Sequence, residues 1–376
     1  MNFPAPRSGV ARFALPLAGV ILLAGTALWF WLGQWWVVAA TLPLLGAALA
    51  WHWHSRNPAS GAEESLRQTE QPAVETSSEP PPPDDATPAH PTQIGPYRLG
   101  KMIGQGSSGT VYQCWRNNSM LALAIKLFAP QQPLGQQQLA RARQQFLHGA
   151  QWAKSLHHPH LLKVLDHGEE DGQAYVVMEY MNGKTLHDYL TDNRALPLPW
   201  AILIAAKLAM TLDYLHRQQL VHADVKPANV LFDPTHGVIK LMDFSLAQNL
   251  NKPLSAHPEE GRSPATLVAG TPAYMAPEQL LGQTLDGRAD LFALGVLFYQ
   301  TVSGQLPFPA RSMDALIWQI SREPPQNLAT LCPELSPCLL ALLEQALQKK
   351  ADDRFQSGRA FTLALTECVR GLVKRG

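Results

Sequence analysis

The residues best equipped for chemistry lie in two short windows. The first is Gly104-Gln105-Gly106-Ser107-Ser108-Gly109, a GxGxxG turn. Glycines accept positive φ and let a backbone come close to phosphate oxygens. In dinucleotide-binding units a helix follows such glycines. Here a strand-like stretch follows, Thr110 to Trp115, and then a second strand, Leu121 to Phe128, with a single Lys, Lys126. The second window runs Val221-His222-Ala223-Asp224-Val225-Lys226-Pro227-Ala228-Asn229, with Leu241-Met242-Asp243-Phe244-Ser245 close behind. It joins a carboxylate and an ammonium to two oxygen donors, Asn229 and Asp243, of the hard kind that Mg²⁺ prefers. A phosphate cradle combined with such a cluster suits phosphoryl transfer.

The elements that must position these residues read as a strand, Tyr97-Arg98-Leu99, before the glycines and a long apolar helix, Trp200 to Arg217, before the second window. A hairpin folded over phosphates, with a Lys on the next strand, resembles the protein-kinase arrangement. Other segments carry the same resemblance: His158-Pro159-His160, the Tyr175–Tyr180 hinge run, Gly270 to Glu278 ending in Ala-Pro-Glu, Asp290 and Arg354. From about Tyr97 to Leu372 the chain resembles a bacterial Ser/Thr protein kinase of the eukaryotic type.

The resemblance implies a two-lobed α+β kinase fold within residues 95–372. The small lobe, about Tyr97 to Met181, is an antiparallel sheet with one helix; the large lobe, Asn182 to Leu372, is mainly helical. It implies that Asp224 accepts the proton of a substrate hydroxyl and that Lys226 stabilises the transferring phosphoryl group, as the catalytic residues. Asn229 and Asp243 would hold Mg²⁺, with Mn²⁺ as the alternative metal. Gly104, Gly106, Gly109 and Lys126 would bind the phosphates of ATP. Val111 and Ala124 would lie above the adenine and Leu231 below it, with Glu179 and Met181 bonding it through their backbones and Met178 guarding the pocket behind. Arg354 would pair with Glu278. Lys226 two positions after Asp224, together with Thr271, implies Ser/Thr hydroxyls of protein substrates.

Three positions depart from this pattern. Counting back from Pro159, the helix carboxylate that should pair with Lys126 is replaced by Gly149, and no Asp or Glu occurs between Lys126 and Asp166. Gln145, one turn earlier, or Asp243 is expected to take its place. On this reading Gly149→Glu lowers no activity. Ala223 stands where an Arg usually reads a phosphorylated loop, although Ser255, Ser263 and Thr266 remain modifiable. Ser245 replaces a Gly and is expected to restrict the loop if its φ is positive. The alternative to an active kinase is a pseudokinase, a scaffold or ATP-binding module.

Upstream the texture changes. No Asp, Glu, Lys or Arg occurs from Phe13 to Ser55. A membrane span takes about 20 apolar residues, so residues 13–53 are expected to form a transmembrane hairpin, 13–32 and 35–53, turning at Gly33-Gln34. Trp29, Trp31, Trp35 and Trp36 would sit at headgroup level, with Trp51 and Trp53 at the far end. Arg7, Arg12 and Arg56 place both ends, residues 1–12 included, in the cytoplasm by the positive-inside rule. Residues 54–94 form a Pro-rich acidic linker with the composition of a disordered tether. The protein is thus expected in a bacterial inner membrane, its kinase domain in the cytoplasm.

Formal net charge is zero, with 30 basic and 30 acidic residues. That excludes a strongly basic nucleic-acid binder, and no nucleic-acid partner is expected. Four cysteines exclude a disulfide-dense scaffold; all four are expected as free thiols. His157, His158 and His160 are expected to pack a turn, not to bind metal. A reporter fused after Gly376 should read cytoplasmic; a periplasmic reading would sink the hairpin.

Overall fold

The computed structural model describes residues 93–106, 108–131, 133–250 and 272–373. The expected hairpin, most of the linker, Ser255, Ser263, Thr266 and Thr271 lie outside the described residues. Among those described, one helix, Leu198–Arg217, is long and apolar enough to cross a membrane. Its residues include nine that are buried in the large-lobe core.

The small lobe is a six-stranded antiparallel sheet: β1 (Gln93–Ile94), β2 (Tyr97–Gly106), β3 (Gly109–Arg116), β4 (Ala122–Phe128), β5 (Val164–Glu170) and β6 (Gln173–Glu179), in the order β1-β2-β3-β4-β6-β5. Alternation sets its inner face, with Tyr112, Cys114, Leu123, Ile125, Leu127 and Val177 buried together. The sheet curls far enough for Tyr97 of β2 to donate to Asp166 of β5 at 2.8 Å. β4 is buried on both faces; α1 (Gln136–Ser155) packs against β5 and β6 and reaches β4 through Phe146, which meets Lys126 and Phe128. The buried face of α1 is Phe146, Gly149, Ala150 and Ala153. That is the i, i+3, i+4, i+7 spacing of an amphipathic helix. The His cluster packs the turn that follows: the His157 amide donates to Tyr214 and the His158 ring stacks on Tyr214. The His160 ring bonds the Ile239 carbonyl, and burial, aided by Lys207, pushes its pKa down to about 4.

The large lobe opens with β7 (Lys184–Thr185), the single-turn α2 (Leu186–Tyr189) and α3 (Leu198–Arg217). Short strands follow: β8 (Leu220–Val221), β9 (Val230–Asp233), β10 (Val238–Leu241) and β11 (Gln248–Asn249). β10, β9 and β7 form one small sheet, and β11 pairs with β8. Then come α4 (Pro277–Leu280), α5 (Gly287–Ser303), α6 (Met313–Arg322), α7 (Leu328–Leu331), α8 (Pro337–Ala346) and α9 (Gly358–Val373). α5 is buried almost all round, with Asp286 capping its first turn. A helix apolar on every side belongs at the centre of a core.

The four-thiol expectation needs correction. Cys338 of α8 and Cys368 of α9 form a disulfide, and only Cys114 and Cys332, both buried, are free. The spacing in sequence hid this pairing, because it depends on how α8 and α9 pack. Closing a loop over a sequence separation of 30 restricts the unfolded chain, worth about 3–4 kcal/mol in the chain-entropy account. Urea unfolding with and without a thiol reductant should differ by that amount. The Cys338→Ser/Cys368→Ser protein should show no such difference.

Candidate phosphoryl-transfer site

The glycine turn joins β2 to β3, as a hairpin should. Val111 pairs with Gly104 on one side and Lys126 on the other. Gly109 has a packing reason to lack a side chain: a Cβ there would stand 1.9 Å from the Leu127 carbonyl oxygen. Gly104 and Gly106 would meet nothing closer than 3.9 Å, so their surroundings leave room for a ligand.

Lys126 sits on the buried strand β4 and is 9% exposed. Its ammonium meets Asp243 at 2.7 Å. Burial works against the Asp243 charge, but Lys126 and hydrogen bonds from Ser245 outweigh it and hold the pKa at about 2. The expectation that Asp243 takes the place of the absent helix carboxylate therefore holds, and Gln145 is not the partner. The other contact of the Lys126 ammonium is the ring of Phe146, 5.9 Å from its centroid. Sequence reading missed Phe146, although it lies one turn from Gly149 on the same helical face.

Gly149 itself overturns one expectation. A Cβ at this position would lie 2.1 Å from the carbonyl oxygen of Phe244. No longer side chain fits without moving α1, so Gly149→Glu is a disruptive change. The concern over Ser245 also shifts. Among the described non-glycine residues the positive φ angles near the site fall at Asp243 (68°) and Ala223 (61°), not at Ser245. Ser245 donates its amide to Asp243 at 3.3 Å.

The loop after β8 is pinned from below. Asp290 of α5, 1% exposed, accepts from the amides of His222 at 2.9 Å and Ala223 at 2.8 Å. Buried carboxylates persist where they are hydrogen-bonded in this way. His216 adds a third contact to Asp290 at 2.9 Å. With its backbone fixed, the loop brings its side chains together. Asp224 accepts from Lys226 at 2.8 Å and from Asn229 at 2.7 Å. Burial pushes the Asp224 pKa up, and the opposing Lys226 ammonium does not cancel it. A raised pKa makes a carboxylate a better proton acceptor.

Asn229 and Asp243 are neighbours because the Met242 amide donates to the Asn229 carbonyl at 2.9 Å. The Asn229 side-chain NH₂ donates to both the carbonyl and the carboxylate of Asp224. Its amide oxygen is thereby left as the group able to face a cation. One amide oxygen and one carboxylate are a fitting pair of protein donors for Mg²⁺, which keeps several waters and takes further oxygens from phosphates.

At the hinge, Ala124 pairs with Met178 and Leu123 with Glu179. The Glu179 carboxylate turns aside to Lys240 at 2.7 Å and to the Lys163 amide at 2.8 Å. The Glu179 amide in turn donates to the Lys163 carbonyl at 3.0 Å, so of its backbone groups only the carbonyl is a candidate to meet a ligand. Leu231 lies on β9 and Met181 just beyond β6. Met178 lines a cavity of about 40 Å³ behind the site, with Lys126, Phe146, Ala150, Asp243 and Phe244. Farther down, Arg354 grips Glu278 with two bonds, at 2.7 and 2.8 Å, as the resemblance implied.

Residues 97–364 match the model of the protein kinase domain. Serine/threonine-protein kinase PksC of Streptomyces coelicolor is 33% identical over 284 residues, covering 73% of this chain and 49% of that protein. Serine/threonine-protein kinase PknA of Mycobacterium tuberculosis is 33% identical over 285 residues, covering 74% and 63%. Serine/threonine-protein kinase PknJ of the same organism is 31% identical over 280 residues, covering 73% and 46%. The chain thus spans about half the length of the first of these relatives.

Removing one member of a buried ion pair leaves a charge without a partner. Lys126→Met should therefore lower the unfolding free energy by about 3–5 kcal/mol. Adding Asp243→Asn should recover most of the loss. Urea titration of the three proteins measures both effects.

Proposed function

Because the chain belongs to the protein kinase family, we propose that it transfers the γ-phosphoryl group of ATP to Ser or Thr hydroxyls of protein substrates. The observation that carries this reading is the bonded group Asp224, Lys226 and Asn229 lying beside the Lys126–Asp243 pair. Asp224 orients the substrate hydroxyl and takes its proton as the new bond from oxygen to phosphorus forms. The bond from the γ-phosphorus to the bridging oxygen breaks, and the electron pair leaves with ADP. Lys226, already within reach of Asp224, stabilises the charge on the phosphoryl group in flight. Asn229 and Asp243 would hold Mg²⁺, which would supply charge neutralisation to the phosphates. Lys126, which meets Asp243 at 2.7 Å, would be the cation within reach of the phosphates.

The adenine lies between Val111 and Ala124 on one side and Leu231 on the other, bonded by the backbone at Glu179 and Met181. The chain is anchored in an inner membrane by residues 13–53, with the catalytic domain, residues 95–372, in the cytoplasm. The uncharged N-terminal run and the flanking Arg residues support that placement. The Arg354–Glu278 pair supports protein substrates, since it braces the Ala-Pro-Glu turn at the end of the segment where a peptide would dock.

The full chain incubated with radiolabelled Mg-ATP should label itself or a generic basic protein. Asp224→Asn should abolish labelling while nucleotide binding persists. Binding without transfer by the unchanged protein, with either Mg²⁺ or Mn²⁺, would replace the kinase reading with a scaffold.

A further inference from the structure

Lys126 needs to be held where phosphates will arrive, yet the helix packed over it offers no acid. What α1 offers is an aromatic ring and a gap. The ring is Phe146, 3% exposed, with the Lys126 ammonium 5.9 Å from its centroid. A cation within about 6 Å of a ring face is attracted by the ring quadrupole, more so when both are away from water. Phe128, two residues on from Lys126 along β4, braces the ring at 5.4 Å.

The gap is Gly149, one turn farther along the same face of α1. With no side chain in the way, the helix backbone comes so near the Phe244 carbonyl that a Cβ would sit 2.1 Å from its oxygen. The glycine sets how deep α1 lies, and that depth puts the ring over the ammonium. Between them remains the cavity of about 40 Å³, room for very few waters. Both features belong to one helix and converge on one ammonium.

We propose that Phe146 and Gly149 are positioning residues for Lys126, and that they do by ring contact and close approach what a helix carboxylate would do by charge. The difference is chemical. A carboxylate partner neutralises the lysine it holds. A ring face holds the ammonium and leaves its full charge for Asp243 or for phosphate oxygens. The inference rests on the nucleotide-binding role of Lys126 proposed above.

The test is a double-mutant cycle on the full chain, read as equilibrium binding of a magnesium complex of a non-hydrolysable ATP analogue. Phe146→Leu should weaken binding by roughly 5- to 30-fold, the span of a desolvated cation–π contact. In a Lys126→Met background the same change should cost less than about twofold, because the group that the ring holds is gone. Equal losses in both backgrounds would reduce Phe146 to a packing residue and overturn the proposal. Phe146→Tyr, which keeps the ring but must bury a hydroxyl, should lose less binding than Phe146→Leu; a loss matching Phe146→Leu would also overturn the proposal. If Phe146→Leu does not fold, Phe146→Met, which refills the space with a flexible apolar chain, carries the same comparison. Gly149→Ala should weaken binding more in the Lys126 background than in the Lys126→Met one; equal losses in both would remove Gly149 from the proposal. Failure of the unchanged protein to bind the analogue would overturn the kinase reading and this one with it. A missing coupling in a protein that binds would overturn this one alone.

Discussion

Lys126 and Asp243 meet at 2.7 Å with side chains only 11% and 21% exposed. Neither charge could remain there without the other, since a buried ion with no partner costs several kcal/mol. The pair also spans the two lobes: Lys126 rises from the small-lobe sheet, and Asp243 follows β10 of the large lobe. Much of the surrounding structure serves this meeting. α1 covers the lysine, Ser245 steadies the carboxylate, and Asn229 lies alongside through the Met242 amide. The two charges thus close an electrostatic circuit between the lobes. Metal and phosphate would open it by offering each partner a replacement.

A second constraint lies under the catalytic loop. Asp290 accepts two successive amides there, and Ala223 holds a positive φ between them and Asp224. An alanine in that conformation is strained by roughly 1 kcal/mol or more. The strain is stable because α5 is buried and cannot shift to relieve it. Ala223 contributes no side-chain charge, so the loop takes its shape from backbone bonds to Asp290 and from Gln279, which donates to the Ala223 carbonyl. The backbone leading into Asp224 is therefore fixed by contacts from Asp290 and Gln279.

The sequence was most legible where chemistry is local. Asp224, Lys226 and Asn229 fall within six residues, so their types and spacing alone named the cluster. The glycine hairpin and Lys126 could be read from strand alternation, and the Arg354–Glu278 pair from the family pattern. What escaped depends on distances across the fold. Phe146 looks like any core aromatic until the lysine above it is placed. Gly149 looked like a vacancy that a carboxylate could fill, whereas the Phe244 carbonyl already occupies the space. The Cys338–Cys368 link joins two helices whose packing no spacing rule foretells.

The curl of the small-lobe sheet has a mechanical side. A pull on β1 would act on one edge of the sheet. β1 passes it to β2 through only two residue pairs, Gln93 with Arg98 and Ile94 with Tyr97. Tyr97 is in turn tied to Asp166 on the opposite edge of the sheet, and Asp166 also meets Lys154 of α1 at 3.1 Å. Force applied at the start of the domain is thus shared between both sheet edges and the helix that covers Lys126. The same helix that sets the lysine is the one that would feel the pull.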